Sequence, residues 1–172
     1  MELSTNRKGA IAETAIAAEA LRLGIDVYRP VAEGGRYDLI FDMGPFLLRV
    51  QCKWAVRYGD VVIVRAQSSR RAAAGHIKRK YAPGEVDALA AYCHELKRAY
   101  LLPISLVASR SQLSLRLAPA RNNQIEKLHW AAEYELGAIA QLGERRAGSA
   151  EAGGSSPPSS TVKAAHHGRL FS

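Results

Sequence analysis

Residues 36–55, RYDLIFDMGPFLLRVQCKWA, decide the fold because they predict a hairpin of two buried strands. We expect the strands over residues 37–42 and 46–54, joined by a turn at residues 43–45 that contains a Gly-Pro pair. Successive side chains of a strand point to opposite sides, and apolar ones occupy one side of this hairpin. That side consists of Tyr37, Leu39, Phe41, Leu48, Val50, Cys52 and Trp54.

The opposite side of the hairpin carries Asp38, Gln51 and Lys53. If the Gly-Pro pair forms a two-residue loop, Met43 pairs with Phe46, and Asp38 then lies opposite Gln51. Lys53 is one diagonal step away on the same side. Polar side chains are costly to bury unless they are paired or used, so these three need a partner or a function.

The first helix is predicted over residues 4–24, with candidate caps at its start and Gly24 as its stop. Helical spacing places Glu13 beside Ile16 and Ala20, on the side that packs on the sheet. A carboxylate there needs a partner. A buried ion pair without chemistry, such as Glu13 with Lys53, remains an alternative.

Together these side chains suit metal-assisted phosphodiester hydrolysis. Asp38 would bind Mg²⁺ or Mn²⁺ directly, with the side-chain oxygen of Gln51 and the backbone carbonyl of Cys52 as further hard oxygen ligands. Lys53 would orient the attacking water or stabilise the charge on the phosphate. Glu13 would hold a metal-bound water from outside the ligand set.

The order of the remaining elements predicts an α/β protein with a central mixed sheet. Further strands are expected over residues 25–31, 60–66, 99–104 and 112–117, and helices over 85–96 and 121–136.

The charge of the chain favours a polyanionic partner. Lys and Arg total 24 against 16 Asp and Glu, and residues 61–84 contain no acidic residue, which is typical of a loop that follows a phosphate backbone. A solvated basic loop without a ligand is the alternative. The candidate DNA-binding residues are Arg7, Lys8, Arg36, Arg57, Arg70, Arg71, Lys78, Arg79 and Lys80. Arg49, Tyr58, Tyr81 and Asp87 are further candidates for this surface, although Tyr81 and Asp87 could equally cap the core.

The composition changes near residue 137. We expect one domain over residues 1–136 and a low-complexity, disordered tail over 137–172, which is rich in Gly, Ser and Pro. Cys52 and Cys93 have no metal-ligand spacing. The chain shows no signal peptide and no apolar run long enough to cross a bilayer, so a soluble, cytoplasmic protein is expected.

The set Glu13, Asp38, Gln51 and Lys53, on a helix followed by strand, turn and strand, resembles the PD-(D/E)XK nuclease superfamily. The resemblance covers roughly residues 5–136 and is strongest to the group I intron-encoded homing endonucleases. It is carried by KGAIAETAIAAEALRLGIDVYRP, the hairpin, YAPGEVDALAAYCHELKRAYLLP and RNNQIEKLHWAAEYE.

The resemblance implies a restriction-endonuclease-like core with helices flanking the sheet, a metal-dependent endonuclease acting on double-stranded DNA, and a homodimer or homotetramer. Carried over residue by residue, it makes Glu13, Asp38, Gln51 and Lys53 the catalytic set. Two positions depart from the superfamily pattern: Tyr37 stands in place of Pro, and Gln51 in place of Asp or Glu. The homing-endonuclease branch is similar in using Gln, but the exchange removes one negative charge from the metal site.

Three alternatives stay open from the sequence. The chain could be a non-catalytic DNA-binding module on a nuclease fold, because of the missing charge at Gln51. It could be a structure-selective nuclease similar to Holliday-junction resolvases, since the motif does not fix the DNA substrate. It could also be a small protein whose polar hairpin residues form only an ion-pair network.

Overall fold

The computed structural model of the protein describes residues 2–32, 34–72, 75–82, 84–119 and 128–140, with the backbone alone at 68–78. The helical elements are α1 (Thr5–Arg22), α2 (Ile104–Val107) and a 3₁₀ turn (Ala131–Tyr134), and residues 136–140 are also helical. The strands are β1 (Asp26–Tyr28), β2 (Leu39–Asp42), β3 (Leu47–Tyr58), β4 (Val61–Arg65), β5 (Ser68–Ala72), β6 (Gly75–Arg79), β7 (Ala88–Cys93), β8 (Arg98–Pro103), β9 (Gln112–Arg116) and β10 (His129–Trp130).

A mixed sheet forms the centre of the molecule, and within the described ranges it has eight strands. The path runs β1-β2-β3-β4-β9-β10, while β7 pairs with β3 and then with β8. The β3–β7 and β9–β10 pairs are parallel, and the other pairs are antiparallel. The predicted α/β class with a central mixed sheet is confirmed.

The register between β2 and β3 is the predicted one. Leu39 pairs with Val50, the Asp38 N–H donates to the Val50 carbonyl at 2.9 Å, and the Met43 N–H donates to the Phe46 carbonyl at 3.0 Å. The ladder stops at Leu39: Asp38 lies just before β2, its N–H bonds to the Val50 carbonyl, and it meets Gln51 through its side chain instead of as the next backbone pair.

The β2–β3 turn depends on Gly44, which has a φ of +81°. That angle favours glycine, and a positive φ at the first central position followed by proline's fixed negative φ suits a type II′ hairpin turn. The Gly44 N–H also donates to the Asp42 carboxylate at 2.9 Å. The two central residues therefore set the loop length that fixes the register.

The core has two apolar clusters. The first lies between α1 and the hairpin, where Ile16 and Ala20 pack with Leu39, Phe41 and Val50. Ile139 and Ala140 belong to this first cluster and are 4% and 7% exposed. The second cluster includes Leu89, Leu102, Leu113, Tyr81 and Tyr100. Helix α1 begins as predicted, since Ser4 caps it by accepting from the Arg7 N–H at 3.4 Å.

The helix predicted over residues 85–96 is wrong. Residues 88–93, ALAAYC, form β7, which is almost entirely buried and pairs with β3 on one side and β8 on the other. A strand buried on both faces has no polar–apolar alternation, and Ala and Leu favour helices when taken locally. Pairing with β3 and β8 therefore outweighs the local helix propensity of residues 88–93 and makes them a strand.

Two other predictions differ from the structure. The basic loop after β4 is a β-hairpin, β5–β6, whose turn contains residues 73–74, outside the described residues. Of the helix predicted over 121–136, residues 121–127 lie outside the described residues, and the remainder is β10 and the 3₁₀ turn. Within the described ranges, the helices are too short or too polar to span a lipid bilayer.

Candidate active site

The predicted metal ligands meet just before the start of β2. The Asp38 carboxylate accepts a hydrogen bond from the Cys52 N–H at 2.8 Å and a second one from Nε2 of Gln51. The same Nε2 atom lies 3.5 Å from the Cys52 carbonyl oxygen. The structure thus brings Asp38, Gln51 and Cys52 together.

This cluster exists because β3 extends beyond Val50, whereas β2 begins only at Leu39, opposite Val50. Strand β2 pairs with β3 only as far as Val50, whereas β7 pairs with β3 through residue Ala55 on its other side. The Cys52 N–H therefore has no β2 carbonyl opposite it, and the Asp38 side chain accepts its hydrogen bond instead. Asp38 is thereby fixed beside a stretch of the β3 edge that β2 does not cover.

Two carboxylates share the site. Burial and then the negative charge of Asp38 raise the pKa of Glu13. Burial also raises the pKa of Asp38, against the hydrogen bond from Cys52 and the charge of Lys53, which lower it. Both side chains are half-buried. Desolvated like charges that are close together favour a bound cation.

Arg29 is a member of this site that the sequence analysis missed. Its charge lowers the pKa of Glu13, of Asp38 and of the Cys52 thiol. Strand β1 pairs with β2 through Tyr28 and Ile40, so the residue after β1 arrives beside the residues before β2. Pairing the two predicted strands by register would have found it.

Lys53 is half-buried, and burial lowers the pKa of its ammonium while the charge of Asp38 raises it. The ammonium lies over the ring of Tyr81, with Nζ 5.5 Å from the ring centroid. Tyr81 is 5% exposed and belongs to the second core cluster. The ring of Tyr81 and the negative charge of Asp38 thus act on an amine that is partly withdrawn from bulk water.

The polar side of the hairpin does not face Glu13 as a whole. Helix α1 packs on the side of β3 that carries Leu48, Val50 and Cys52, so alternation puts Gln51 and Lys53 on the other side, where Tyr81 lies. Of the other three predicted catalytic residues, Glu13 instead interacts electrostatically with Asp38 alone, and its pKa is raised by burial and then by this interaction.

Several candidate DNA-binding arginines have partners within the protein. Arg36 donates to Glu85 at 2.8 Å and to the Lys80 carbonyl at 3.2 Å. Arg79 also donates to Glu85, at 2.8 Å. Glu85 therefore ties the end of β6 to the residues before β2.

Other members of the candidate DNA-binding set lie at the surface. Arg7, Arg57 and Lys80 are exposed, and Lys8 is half-buried; Arg57 donates to the Gly59 carbonyl at 2.9 Å. Arg70, Arg71 and Lys78 lie on the β5–β6 hairpin, where side chains are outside the described part.

Arg49 is held by Asp87 rather than directed to solvent. Its guanidinium forms two hydrogen bonds of 2.9 Å with the two carboxylate oxygens, and its own N–H donates to the same group at 2.8 Å. A further bond joins Arg49 to the Gly84 carbonyl. This cluster joins β3 to the start of β7, two residues along β3 from Gln51.

The donor set fits a hard divalent cation. Carboxylate, amide and backbone carbonyl oxygens are the ligands that Mg²⁺ prefers, and rotation of the Gln51 amide exchanges its N and O atoms, which are assigned from hydrogen bonding. The described residues contain no group of three or more His, Cys, Asp or Glu that could hold a metal. A cation here would therefore depend on the neutral oxygens of Gln51 and Cys52.

Comparisons with known proteins agree with this geometry. A solved structure of a bacterial homing endonuclease, I-Ssp6803I, is similar to the chain with a TM-score of 0.65 and 25% sequence identity, covering 85% of this chain and 97% of that one. No individual curated protein matches the chain. The family model for the PD-(D/E)XK endonuclease matches residues 3–137. The chain belongs to the PD-(D/E)XK endonuclease family.

Proposed function

We propose that this nuclease is a divalent-metal-dependent DNA endonuclease of the homing type, with Glu13, Asp38, Gln51 and Lys53 as its catalytic set. One observation carries the proposal. Just before the start of β2, the Asp38 carboxylate meets the Gln51 amide and the backbone of Cys52, and it interacts electrostatically with the half-buried Lys53.

Asp38, Gln51 through its amide oxygen, and the Cys52 carbonyl would hold the cation, Mg²⁺ or Mn²⁺. When bound, it would polarise the scissile phosphate and lower the pKa of a nearby water. Glu13 adds negative charge behind Asp38, and Arg29 limits the repulsion between the two carboxylates.

Lys53 supplies the positive charge that the phosphate needs as it becomes more negative in the transition state. Its partly desolvated position strengthens that interaction, because the same charge in bulk water would be screened. Burial lowers the pKa of the Lys53 ammonium, and the negative charge of Asp38 acts against that effect.

The DNA would lie across the site and along the β5–β6 hairpin. The hairpin follows β4 directly and carries Arg70, Arg71, Lys78 and Arg79, with Lys80 immediately after it. Such a basic segment binds phosphates regardless of sequence and loses affinity as salt is added.

The test is cleavage of plasmid and four-way-junction DNA in Mg²⁺, Mn²⁺ or EDTA, with binding measured in parallel. Asp38→Asn and Lys53→Met are expected to lower the cleavage rate by about 100-fold or more while DNA is still bound. Asp26→Asn and Lys97→Met are the matched controls, since both residues are exposed on other parts of the fold, and they should cleave like wild type.

Equal cleavage by wild type, Asp38→Asn and Lys53→Met would show that the cleavage does not depend on the proposed site. Cleavage in EDTA would exclude the metal-dependent mechanism. DNA binding that does not weaken as salt is added would refute the proposal that the β5–β6 hairpin binds DNA phosphates.

A non-catalytic DNA-binding module is the second candidate. It is favoured by the observation that Gln51 directs its Nε2 atom, a donor, towards Asp38. Salt-dependent binding by wild type without cleavage of either substrate would establish this alternative. Preference for the four-way junction over the plasmid would instead establish a structure-selective nuclease, similar to Holliday-junction resolvases.

Three finer features belong to the same proposal: a gene within a group I intron, a homodimer or homotetramer, and a cytoplasmic location. The similarity to a homing endonuclease supports the first. Sedimentation of the purified chain tests the second, and a monomer at all concentrations would refute it.

A further inference from the structure

Tyr81 lies at the point where the site meets the second core cluster. It follows Lys80 after the β5–β6 hairpin, and its side chain is buried. Two cations contact its ring: Nζ of Lys53 lies 5.5 Å from the ring centroid and Cζ of Arg36 lies 5.0 Å from it. Both distances are within the range of a cation–π interaction, which is strengthened by desolvation.

The surroundings hold this ring in place. Arg36 is anchored by Glu85 and by the Lys80 carbonyl, and Glu85 also accepts from the Ala82 N–H at 2.8 Å. The backbone on both sides of Tyr81 is therefore tied to the cluster around Arg36. A lysine side chain, by contrast, has a flexible four-carbon stem with many rotamers, so Lys53 needs a surface that restricts it.

The hydroxyl of Tyr81 does not take part in this arrangement. It is buried and has no hydrogen-bond partner among the residues that the structure describes. A buried hydroxyl without a partner does not stabilise the fold. Tyr81 therefore contacts Lys53 and Arg36 through the face of its ring and not through its hydroxyl.

We propose that Tyr81 is a positioning residue, whose ring face holds the Lys53 ammonium beside the Asp38 carboxylate. The consequence for cleavage rests on the proposed function, but the contact between the ring and the lysine does not. Tyr81→Phe keeps the ring and should preserve the contact, whereas Tyr81→Leu and Tyr81→Met remove it.

The first test is a double-mutant cycle on single-turnover DNA cleavage. Tyr81→Phe should cleave within about threefold of wild type, and Tyr81→Leu should lose about 10- to 100-fold, in keeping with the effect of a misplaced catalytic group. When Lys53→Met is already present, adding Tyr81→Leu should cause no further loss. DNA affinity should stay unchanged throughout.

An additive cycle, in which Tyr81→Leu costs as much without Lys53 as with it, would overturn the proposal, because the ring would then act by another route. A loss by Tyr81→Phe equal to that of Tyr81→Leu would also overturn it. Met and Leu have nearly the same volume but different shapes, so equal losses in the two variants would show that the effect follows the missing ring and not the fit of one replacement.

The second test does not depend on cleavage. In protein with ¹³C-labelled lysine, the ε-methylene signal of Lys53, identified by its absence in Lys53→Met, should be shifted upfield by the ring. The shift should persist in Tyr81→Phe and disappear in Tyr81→Leu and Tyr81→Met. An unshifted signal in wild type would refute the contact, while a shifted signal without cleavage would refute the proposed function alone.

Discussion

Replacing Asp87 by asparagine tests the link between β3 and β7. In the native protein the carboxylate accepts three hydrogen bonds from Arg49, two from the guanidinium and one from the backbone N–H. In the Asp87→Asn variant the amide oxygen could still accept from the N–H, but the charge that binds the guanidinium is gone. The change therefore removes the ion pair while leaving the shape of the side chain nearly intact.

The exposure of the pair sets the magnitude. Hydrogen bonds to charged groups contribute about 1.5–3 kcal/mol, and exposed ion pairs about 0–1 kcal/mol. The side chains of Arg49 and Asp87 are 40% and 31% exposed, which lies between these cases. We expect Asp87→Asn to lower the free energy of unfolding by about 1–2 kcal/mol and the midpoint of thermal unfolding by about 3–6 °C.

The loss should also depend on pH. The hydrogen bond from Arg49 lowers the pKa of Asp87 in the folded protein, so its stabilising effect is complete above the unfolded pKa of about 3.9. As the pH falls through the folded pKa, the native carboxyl is protonated and the difference between wild type and the variant disappears. Urea unfolding of both proteins at pH 7, 5, 3 and 2 measures this.

The control is Glu19→Gln, which removes an ion pair to Arg22 on α1, where the arginine is 73% exposed. That change should cost less than about 0.5 kcal/mol. The reasoning about Asp87 fails if its variant is as stable as wild type at pH 7, or if the difference between them persists at pH 2.

Two further predictions concern the cation and the end of the domain. Mg²⁺ at ten times its Kd should raise the stability of wild type by about 1.4 kcal/mol and leave Asp38→Asn unchanged in differential scanning fluorimetry; an equal rise in both would place the cation elsewhere. A chain that ends at Ala140 should have the same free energy of unfolding in urea as the full chain. A chain that ends at Leu136 loses the buried side chain of Ile139 and should be less stable by about 2–4 kcal/mol. Equal stability of the two truncated chains would show that residues 137–140 add nothing to the core.

The hairpin and its polar side could be predicted because their signals are local. Alternation along residues 37–42 and 46–54 and a two-residue Gly-Pro loop predict the observed pairing of Leu39 with Val50, and they bring Asp38 next to Gln51, without knowledge of the rest of the chain. The roles of the site residues remain predictions that the cleavage and binding assays test.

The missed features depend on contacts between distant residues. Strand β7 was mistaken for a helix because its apolar run takes its conformation from β3 and β8, which cover both of its edges. Arg29 lies near the site because β1, which it follows, pairs with β2. The Arg49–Asp87 pair joins residues 38 positions apart, and no sequence pattern marks it.

The turn at Gly44 has a consequence for how this protein can diverge. Its two central residues determine whether Asp38 comes to the side of β3 that carries Gln51 and Lys53, because the register of β2 against β3 follows from the loop length. Deleting or adding one residue there would shift the register by one residue. The Asp38 carboxylate would then point towards the apolar cluster under α1, although no residue of the site itself had changed. We therefore expect natural relatives to keep the length of this loop even where the residues around it differ, and a homologous sequence with a gap at this position to lack the proposed site.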